Sequence, residues 1–269
     1  MKFDSLKEKC EYYRSLTDYK ILPNSNLLIM LDGHSFSKKV KNAFKKPFDE
    51  VFINAMNNTA KYLCESIQGA KIAYVQSDEI SILVTDYDTP MTDSFFGYRL
   101  CKIQSIAASM AAACFNKIMI KNAVKNRLDT DDVNSAIEHV TSYDFDCKAW
   151  VVPNDNDAFA WFLYRQIDCI RNSKQQAAQA YIPHKELLNL DADKQIQLLR
   201  QKENIDWSIN YSNGEKYGRF IYKTLASDSK ILPNGKTIAF TRNKWTIHDA
   251  NILTDSNTEE FFEIFKEKS

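Results

Sequence analysis

Two strand-like runs meet within the first third of this chain, in the sequence AKIAYVQSDEISILVT at residues 70–85. Residues 72–76 and 80–85 are rich in Ile, Val and Tyr, which favours two adjacent strands joined by a tight turn. The turn carries the acids Asp78 and Glu79 and contains no glycine. A polar hairpin tip would explain these acids, because turns favour Ser and Asp for local backbone reasons. The hairpin restricts the fold, since the flanking segments must cover it.

The flanking segments alternate between strand and helix patterns. Residues 26–33 (NLLIMLDG) predict a buried strand, and residues 147–153 (CKAWVVP) predict another. Residues 47–67 place apolar side chains at helical spacing just after a proline, and residues 95–124 predict a long helix rich in small side chains. The order is βαββαβ, the split arrangement of ferredoxin-like domains. We therefore predict an α+β fold class with an antiparallel ferredoxin-like sheet.

The second half of the chain has a different pattern. From about residue 156 it becomes helical, and it ends with a predicted small hairpin around Asn234-Gly235 and a polar tail. We predict one domain at 1–152 and a helical and hairpin part at 153–269 that packs on it. The run NGKT at 234–237 is not a phosphate-binding loop, because Lys230 stands where the first glycine of that loop is required.

Composition limits the class of protein. The 269 residues are 44% hydrophobic and 26% charged, as in soluble globular proteins. Lys plus Arg and Asp plus Glu both number 35, so nucleic-acid binding would need a local patch. Six cysteines without zinc or C-x-x-C spacing favour reduced thiols. The charged N-terminus is not a signal peptide, and the apolar stretch at 106–115 is too short to span a bilayer. We expect a cytoplasmic location, with an organelle not excluded.

Asp32 and Asp78 are the first candidate site residues. In a βαββαβ sheet the first strand and the central hairpin are neighbours, so Asp32 is expected beside Asp78, with the Gly33 carbonyl exposed and its missing side chain admitting a ligand. Two carboxylates and a carbonyl suit Mg²⁺, and two ions about 3.5–4 Å apart would serve nucleotidyl transfer. Glu79 points away from Asp78 in a regular pleat, so we expect it to orient a metal-bound water or hold the turn.

Basic residues follow Asp32, and further candidates lie on later helices. The lysines of residues 38–46 could form either an ordinary solvated face or a patch that neutralises phosphate. One of them, Lys46, precedes a predicted helix N-terminus, which attracts anions. Arg165, Asp168 and Asn172 share one helix face, which is also the pattern of an intrahelical ion pair. For Arg99 and Lys102 we favour ordinary surface charge. The four histidines form no catalytic spacing.

Four segments in order carry a family resemblance: LDGHSF, KKPFD, YVQSDEIS and YRQIDCIRNS. They resemble the signature segments of the histidine-tRNA guanylyltransferase superfamily. DSL near the N-terminus and KYGR at 216–219 are similar to its guanylyltransferase-like branch, which repairs tRNA 5′ ends. The resemblance runs from about residue 4 to 245. It implies a palm like that of polymerases and cyclases, two Mg²⁺ ions, ATP and GTP or other nucleoside triphosphates as substrates, tRNA as partner, and a homotetramer built as a dimer of dimers.

The same resemblance implies roles for individual residues. Asp32, the Gly33 carbonyl and Asp78 would bind metal, with Glu79 as catalytic support. Lys46 and Ser77 would contact triphosphate during activation of a 5′-monophosphate. The implied nucleotide-binding set is Gly33, His34, Ser35, Phe36, Lys46, Ser77 and Asp78, and the implied RNA or nucleotide side is Lys102, Arg165, Asp168 and Asn172.

Three departures from the family pattern bear on specificity. Many relatives have arginines where this chain has Met30 and His34, which leaves the preferred nucleotide open. Ile170 stands where eukaryotic relatives have a histidine associated with histidine tRNA, and isoleucine cannot donate a hydrogen bond. We therefore predict template-dependent 3′–5′ repair of several tRNAs. The alternatives are a histidine-tRNA-specific guanylyltransferase, a palm-type nucleotidyl cyclase and an inactive RNA-binding relative.

Overall fold

The computed structural model describes residues 3–39, 44–89, 91–125, 142–231, 237–254, 259 and 261–263. The strands are β1 (Asn26–Gly33), β2 (Ala70–Gln76), β3 (Glu79–Val84), β4 (Phe145–Val152), β5 (Arg219–Ile231) and β6 (Thr237–Asp249). The helices are α1 (Leu6–Ser15), α2 (Phe36–Lys39), α3 (Glu50–Ser66), α4 (Leu100–Lys125), α5 (Asp155–Gln179), α6 (His184–Leu187), α7 (Ala192–Glu203), α8 (Trp207–Asn210) and α9 (Asn213–Tyr217), with a 3₁₀ turn at Phe95–Tyr98.

The strands form one antiparallel sheet in the order β4-β1-β3-β2-β5-β6. The first four strands, with α3 and α4 between them, have the predicted βαββαβ connectivity. The α+β prediction is therefore confirmed, and β1 lies beside β3 as the site hypothesis requires.

The C-terminal hairpin is larger than the small hairpin predicted. Strands β5 and β6 have 13 residues each, and only the first part of β5 pairs with β2. The remainder of the two strands pairs only with each other, so the ribbon extends beyond β2. The predicted turn at Asn234-Gly235 lies outside the described residues. Strands from both halves of the chain share this sheet, and the domain division at residue 152 stays a prediction.

Both faces of the central sheet are covered, which explains the nearly continuous apolar sequence of β1. Leu27, Ile29 and Leu31 belong to a core cluster that includes side chains of α3 and α4, while Leu28 packs with residues of α5. Alternating side chains point to opposite faces of a strand, so a strand covered on both faces must be apolar throughout. Its last polar residue, Asp32, lies where this covering ends.

Helix α4 is long and apolar, and it packs against the sheet. By length and composition, it is the one helix among the described residues that could cross a membrane. The sequence prediction differs, because it considered only the apolar stretch at 106–115, which is too short to span a bilayer. Ile103, Ala107, Ala111 and Phe115 are fully buried along one side. Their spacing of three or four residues places them on the face that packs against the sheet.

Candidate active site

The β2–β3 hairpin turns through two residues, Ser77 and Asp78, because Gln76 pairs with Glu79. Ser77 is exposed and has a φ of 45°, in the left-handed region that side chains other than glycine rarely adopt. Such a conformation costs of order 1–3 kcal/mol and concentrates at functional sites. Because this turn contains no glycine, Ser77 adopts the left-handed conformation, and its side chain is held at the tip under backbone strain.

Asp32 and Asp78 lie close together at this tip. Glu79 is paired directly across from Asp32, and the Gly33 amide donates to the Asp78 carbonyl oxygen at 3.1 Å. Burial raises the pKa of the Asp32 carboxyl, and the charge of Asp78 raises it further. Burial also raises the pKa of Asp78. Two carboxylates whose charged forms are disfavoured together form a natural binding place for a cation.

Asp146 is a third acid near this pair, and it is not among the candidates predicted from the sequence. It lies on β4, directly across from Asp32 on the side away from Glu79. Its charge also contributes to the raised pKa of Asp32. Placing β4 beside β1 in the ferredoxin-like strand order, with the strand starting before Cys147, would have found it.

Gly33 has a different structural role from the one expected. A Cβ atom at this position would lie 2.6 Å from the ring of Phe36, closer than any tolerated contact. The missing side chain therefore makes room for Phe36, and the expectation that it admits a ligand is wrong on this side of the backbone. Phe36 is 2% exposed and packs against Phe115 and Tyr143.

A cavity of about 310 Å³ opens beside the hairpin tip. Lys46, Ser77 and Asp78 line it, and the ring of Phe36 forms part of its wall. The structure thus brings together four of the residues proposed to bind nucleotide. Volumes of this size accommodate small-molecule ligands.

A smaller cavity of about 70 Å³ lies next to the first and shares Ser77 with it. Asn172 lines this cavity, as does Arg219, which the sequence argument named only within the KYGR motif. Arg219 is buried, and it donates to the Asn57 side-chain oxygen at 2.8 Å and to the Gly214 carbonyl at 2.9 Å. Burial lowers the pKa of its guanidinium.

Lys46 lies close to the start of α3, but the helix end is already occupied. The Asp49 carboxylate caps the helix by accepting from the Phe52 amide at 3.0 Å, and its other oxygen accepts from the Lys45 amide at 2.9 Å. A carboxylate of the chain therefore already places a negative charge at this N-terminus, and the expected contact of Lys46 with phosphate stays a prediction. Lys46 itself is exposed at the cavity.

Glu79 is held by α5. Its two carboxylate oxygens accept from Arg165 at 2.7 and 2.5 Å, and Arg165 also donates to Asp168 at 2.7 Å. Burial raises the pKa of Glu79, whereas Arg165 acts in the opposite direction. The intrahelical ion pair considered for Arg165 and Asp168 is present, and it extends to the hairpin. This arrangement supports a role for Glu79 in holding the turn.

The other candidates lie outside the two cavities. His34 and Ser35 are exposed in the turn after β1, where the His34 amide donates to the Asp144 carbonyl at 2.9 Å. The Lys102 ammonium lies 4.9 Å from the ring centre of Phe96. Within the described part of the chain, His, Cys, Asp and Glu form no group of three or more that could hold a metal ion.

The chain is similar to known proteins in both sequence and fold. The family model for tRNAHis guanylyltransferase matches residues 7–153. A protein of Acanthamoeba polyphaga mimivirus is 26% identical over 254 residues, which cover 88% of this chain and 83% of the viral protein. A solved bacterial tRNA(His) guanylyltransferase (Thg1)-like protein in complex with ATP is 30% identical, with a TM-score of 0.77 and coverage of 98% of each chain. Its counterpart in complex with GTP has a TM-score of 0.74 at 30% identity, covering 97% of this chain and 99% of the other.

Proposed function

Because the chain belongs to the tRNAHis guanylyltransferase family, which consists of nucleotidyltransferases, we propose that it repairs tRNA 5′ ends by template-dependent addition of nucleotides in the 3′–5′ direction. The observation that carries this proposal is the paired carboxylates of Asp32 and Asp78 beside the 310 Å³ cavity lined by Lys46 and Ser77. The solved relatives bound to ATP and GTP support a nucleotide as its occupant.

The donors at the hairpin tip fit Mg²⁺. Asp32 and Asp78 supply oxygen atoms whose negative charges raise each other's energy, and Mg²⁺ prefers one or two carboxylates completed by substrate phosphates and water. We propose Asp32, the Gly33 carbonyl and Asp78 as the residues that would hold it, in two sites. When bound, Mg²⁺ would stabilise charge on the attacking and leaving oxygens.

The chain's own residues would orient the reactants in both steps. In the activation step, Lys46 and Ser77 contact the triphosphate of ATP or GTP while an oxygen of the RNA 5′-phosphate attacks its α-phosphorus. The bond from the α-phosphorus to the β-phosphate breaks, and pyrophosphate departs. In the addition step, the 3′-hydroxyl oxygen of the incoming nucleotide forms a bond to the 5′-terminal phosphorus, and the activating group departs. For an RNA 5′-triphosphate the leaving group is pyrophosphate. Arg165 fixes Glu79, and thereby the backbone that carries Asp78.

Replacing Lys46 by alanine should impair activation selectively. Its ammonium contributes a point charge to a phosphate, and such a contact is worth about 1.5–3 kcal/mol, or roughly 10- to 150-fold in rate. We expect that loss with 5′-monophosphate RNA and a much smaller loss with RNA that already carries a 5′-triphosphate. Rates on the two substrates measure the difference. Equal losses on both would place Lys46 in RNA docking or in the fold.

The position of Ile170 bears on which RNA is used. Its side chain is partly buried against a hydrophobic cluster that includes Ala177, Leu199 and Trp207. The chain thus packs an apolar side chain where eukaryotic relatives have a polar one. This supports an enzyme whose choice of nucleotide is set by base pairing with the RNA, and histidine-tRNA specificity is the alternative.

Template dependence is tested with one tRNA that lacks its first nucleotide, prepared with each of the four bases opposite the gap. We incubate each RNA with the protein, Mg²⁺, ATP and labelled nucleoside triphosphates, and resolve the products on a gel. The added nucleotide should follow the template base. Guanosine added whatever the template, and only to histidine tRNA, would contradict the prediction. A cyclic nucleotide formed without RNA would identify a cyclase instead.

We also propose a homotetramer and a cytoplasmic location, in keeping with the family resemblance and the six free cysteines. Analytical ultracentrifugation tests the first proposal, and fluorescence microscopy of a tagged chain in its host tests the second. A monomer that retains full activity would refute the need for a tetramer.

A further inference from the structure

An aromatic surface lies on the face of the sheet that α5 partly covers. Trp150 of β4 meets Trp161 of α5 with ring centres 4.7 Å apart, and Trp161 meets Tyr164 at 5.8 Å. The Arg165 guanidinium lies 5.0 Å from the ring centre of Tyr164. We call Trp150, Trp161, Tyr164 and Arg165 the aromatic shelf. None of the three rings has a role in the mechanism described above.

The shelf is aligned with the candidate metal ligands through the sheet register. Asp146, Asp32 and Glu79 lie side by side across β4, β1 and β3, and Arg165 contacts the last of them. Residues paired across strands share a face, so these side chains and α5 are on one side of the sheet. We call Asp146, Asp32 and Glu79 the catalytic row. The catalytic row therefore ends at the shelf, where Glu79 contacts Arg165.

The next row of side chains lies under the shelf. It consists of Lys148, Met30 and Ser81, two residues along each strand from the catalytic row. The Trp161 indole nitrogen donates to the Ser81 hydroxyl at 3.1 Å. Two residues of a strand span about 7 Å, so Trp161 is attached one row away from Asp32.

The rings of Trp150 and Trp161 pack against the hydrophobic cluster of Leu28 and Phe162 without being fully buried, and Tyr164 extends the shelf toward solvent. Tyr164 is 53% exposed, and Trp150 and Trp161 are only partly buried. Trp161 is fixed by its hydrogen bond to Ser81, and Arg165 is fixed by Glu79 and Asp168. Rings that are already ordered bind a flat ligand at a smaller entropic cost. One ring that is half open to solvent and backed by a cation suits stacking on a planar group.

Met30 indicates the kind of planar group. It lies within the row below the shelf, between Lys148 of β4 and Ser81 of β3. A thioether cannot pair with phosphate, but it adapts to flat apolar surfaces. Lys148, which is exposed beside it, leaves one cation for a phosphate at the edge. The surface thus offers apolar contacts to the faces of nucleobases and little positive charge to neutralise the phosphates of a nucleic-acid backbone.

We propose that the aromatic shelf, with Met30, is the surface on which the nucleobases at the 5′ end of the RNA stack while that end lies at Asp32 and Asp78. The inference rests on the proposed function, since an RNA end must reach the carboxylates. Proteins that hold single or terminal bases do so by stacking them on aromatic side chains and on arginine.

The test compares Tyr164→Ala with Tyr164→Phe in the full-length protein. Loss of one stacked base costs about 1–3 kcal/mol, so Tyr164→Ala should raise the concentration of truncated tRNA giving half the maximal rate by roughly 5- to 150-fold. Tyr164→Phe keeps the ring and should match the wild type. Tyr62→Ala, at an exposed tyrosine on α3, is the matched control. The midpoint of thermal unfolding with ATP checks that folding and nucleotide binding are retained.

The remaining outcomes would contradict the proposed role of the shelf. An unchanged RNA concentration for Tyr164→Ala would show that the ring does not contact RNA, and equal losses in both variants would assign the effect to the hydroxyl. A changed oligomeric state with unchanged RNA binding, seen by ultracentrifugation, would identify a protein interface. Failure of the proposed function is distinct: the wild type would add no nucleotide, and fluorescence anisotropy of 3′-labelled truncated tRNA would then decide on the shelf alone.

Discussion

Replacing Asp78 or Asp32 by asparagine is expected to lower both activation and addition by more than about 100-fold, because several kcal/mol of charge stabilisation are lost with one metal-binding carboxylate. The two residues lie at the tip of β2–β3 and at the end of β1, where neither supports the hydrophobic core. The fold should therefore remain intact. Single-turnover rates in Mg²⁺, with circular dichroism as the check on folding, measure the effect.

The stability of the metal-free protein gives an independent readout of the same change. Because the folded-state pKa of Asp32 is raised, the stability linked to its protonated form is fully present below the unfolded-state pKa. That stability is lost as the pH rises through the folded-state pKa. Asp32→Asn cannot ionise, so at pH 7 its thermal midpoint in EDTA should lie above that of the wild type by on the order of a few degrees.

Two results would contradict this assignment. Near-normal turnover of either variant in Mg²⁺ would remove these residues from the catalytic centre. A wild type that Mg²⁺ does not stabilise, together with an Asp32→Asn variant of unchanged thermal midpoint, would show that the carboxylates neither repel each other nor bind the ion. Asp144→Asn is the control, because Asp144 lies nearby but is exposed and paired with Lys39.

Replacing Arg165 by methionine should lower the free energy of unfolding by about 3–5 kcal/mol, since it leaves the buried Glu79 carboxylate without its partner. The side chains of Arg165 and Glu79 are only 13% and 7% exposed. Methionine fills a similar volume, so the cost arises mainly from the stranded charge. Chemical denaturation measures the change, and addition rates should fall with it because Glu79 adjoins Asp78.

Two further variants separate charge from packing. In Arg165→Met combined with Glu79→Gln, the stranded charge is gone, so most of the stability should return. Arg171→Met removes the other arginine bound to Asp168, but Arg171 is 59% exposed, and the change should stay below about 1 kcal/mol. A double variant as unstable as Arg165→Met would show that the arginine acts through packing.

Much of the fold follows from local sequence patterns. The apolar runs around the Ser77-Asp78 turn and the helical spacing of residues 47–67 are properties of neighbouring residues, and they predict elements that the structure contains. Connectivity rules then place β1 beside β3, so the proximity of Asp32 to the hairpin tip could also be predicted. Family segments supplied Lys46 and Asn172, which the structure places at adjoining cavities.

Other features depend on contacts between residues distant in the chain, and local patterns carry no information about those. Arg165 and Glu79 are 86 positions apart, and their ion pair exists only because α5 crosses the sheet over β3. Glycine at position 33 is required by the ring of Phe36, a steric limit that only packing defines. Asp49 closes the helix end expected to attract anions.

The sequence by itself determined the βαββαβ order, the acidic hairpin tip and the family of the chain, because these three features depend on the identity and spacing of neighbouring residues. The tertiary structure alone decided that Arg165 contacts Glu79, that Arg219 is buried beside Asn172, and that an aromatic shelf adjoins the row formed by Asp146, Asp32 and Glu79. The physical reason is register: cross-strand and helix–sheet pairing selects which distant side chains share a face, and that choice depends on the packing of the whole domain.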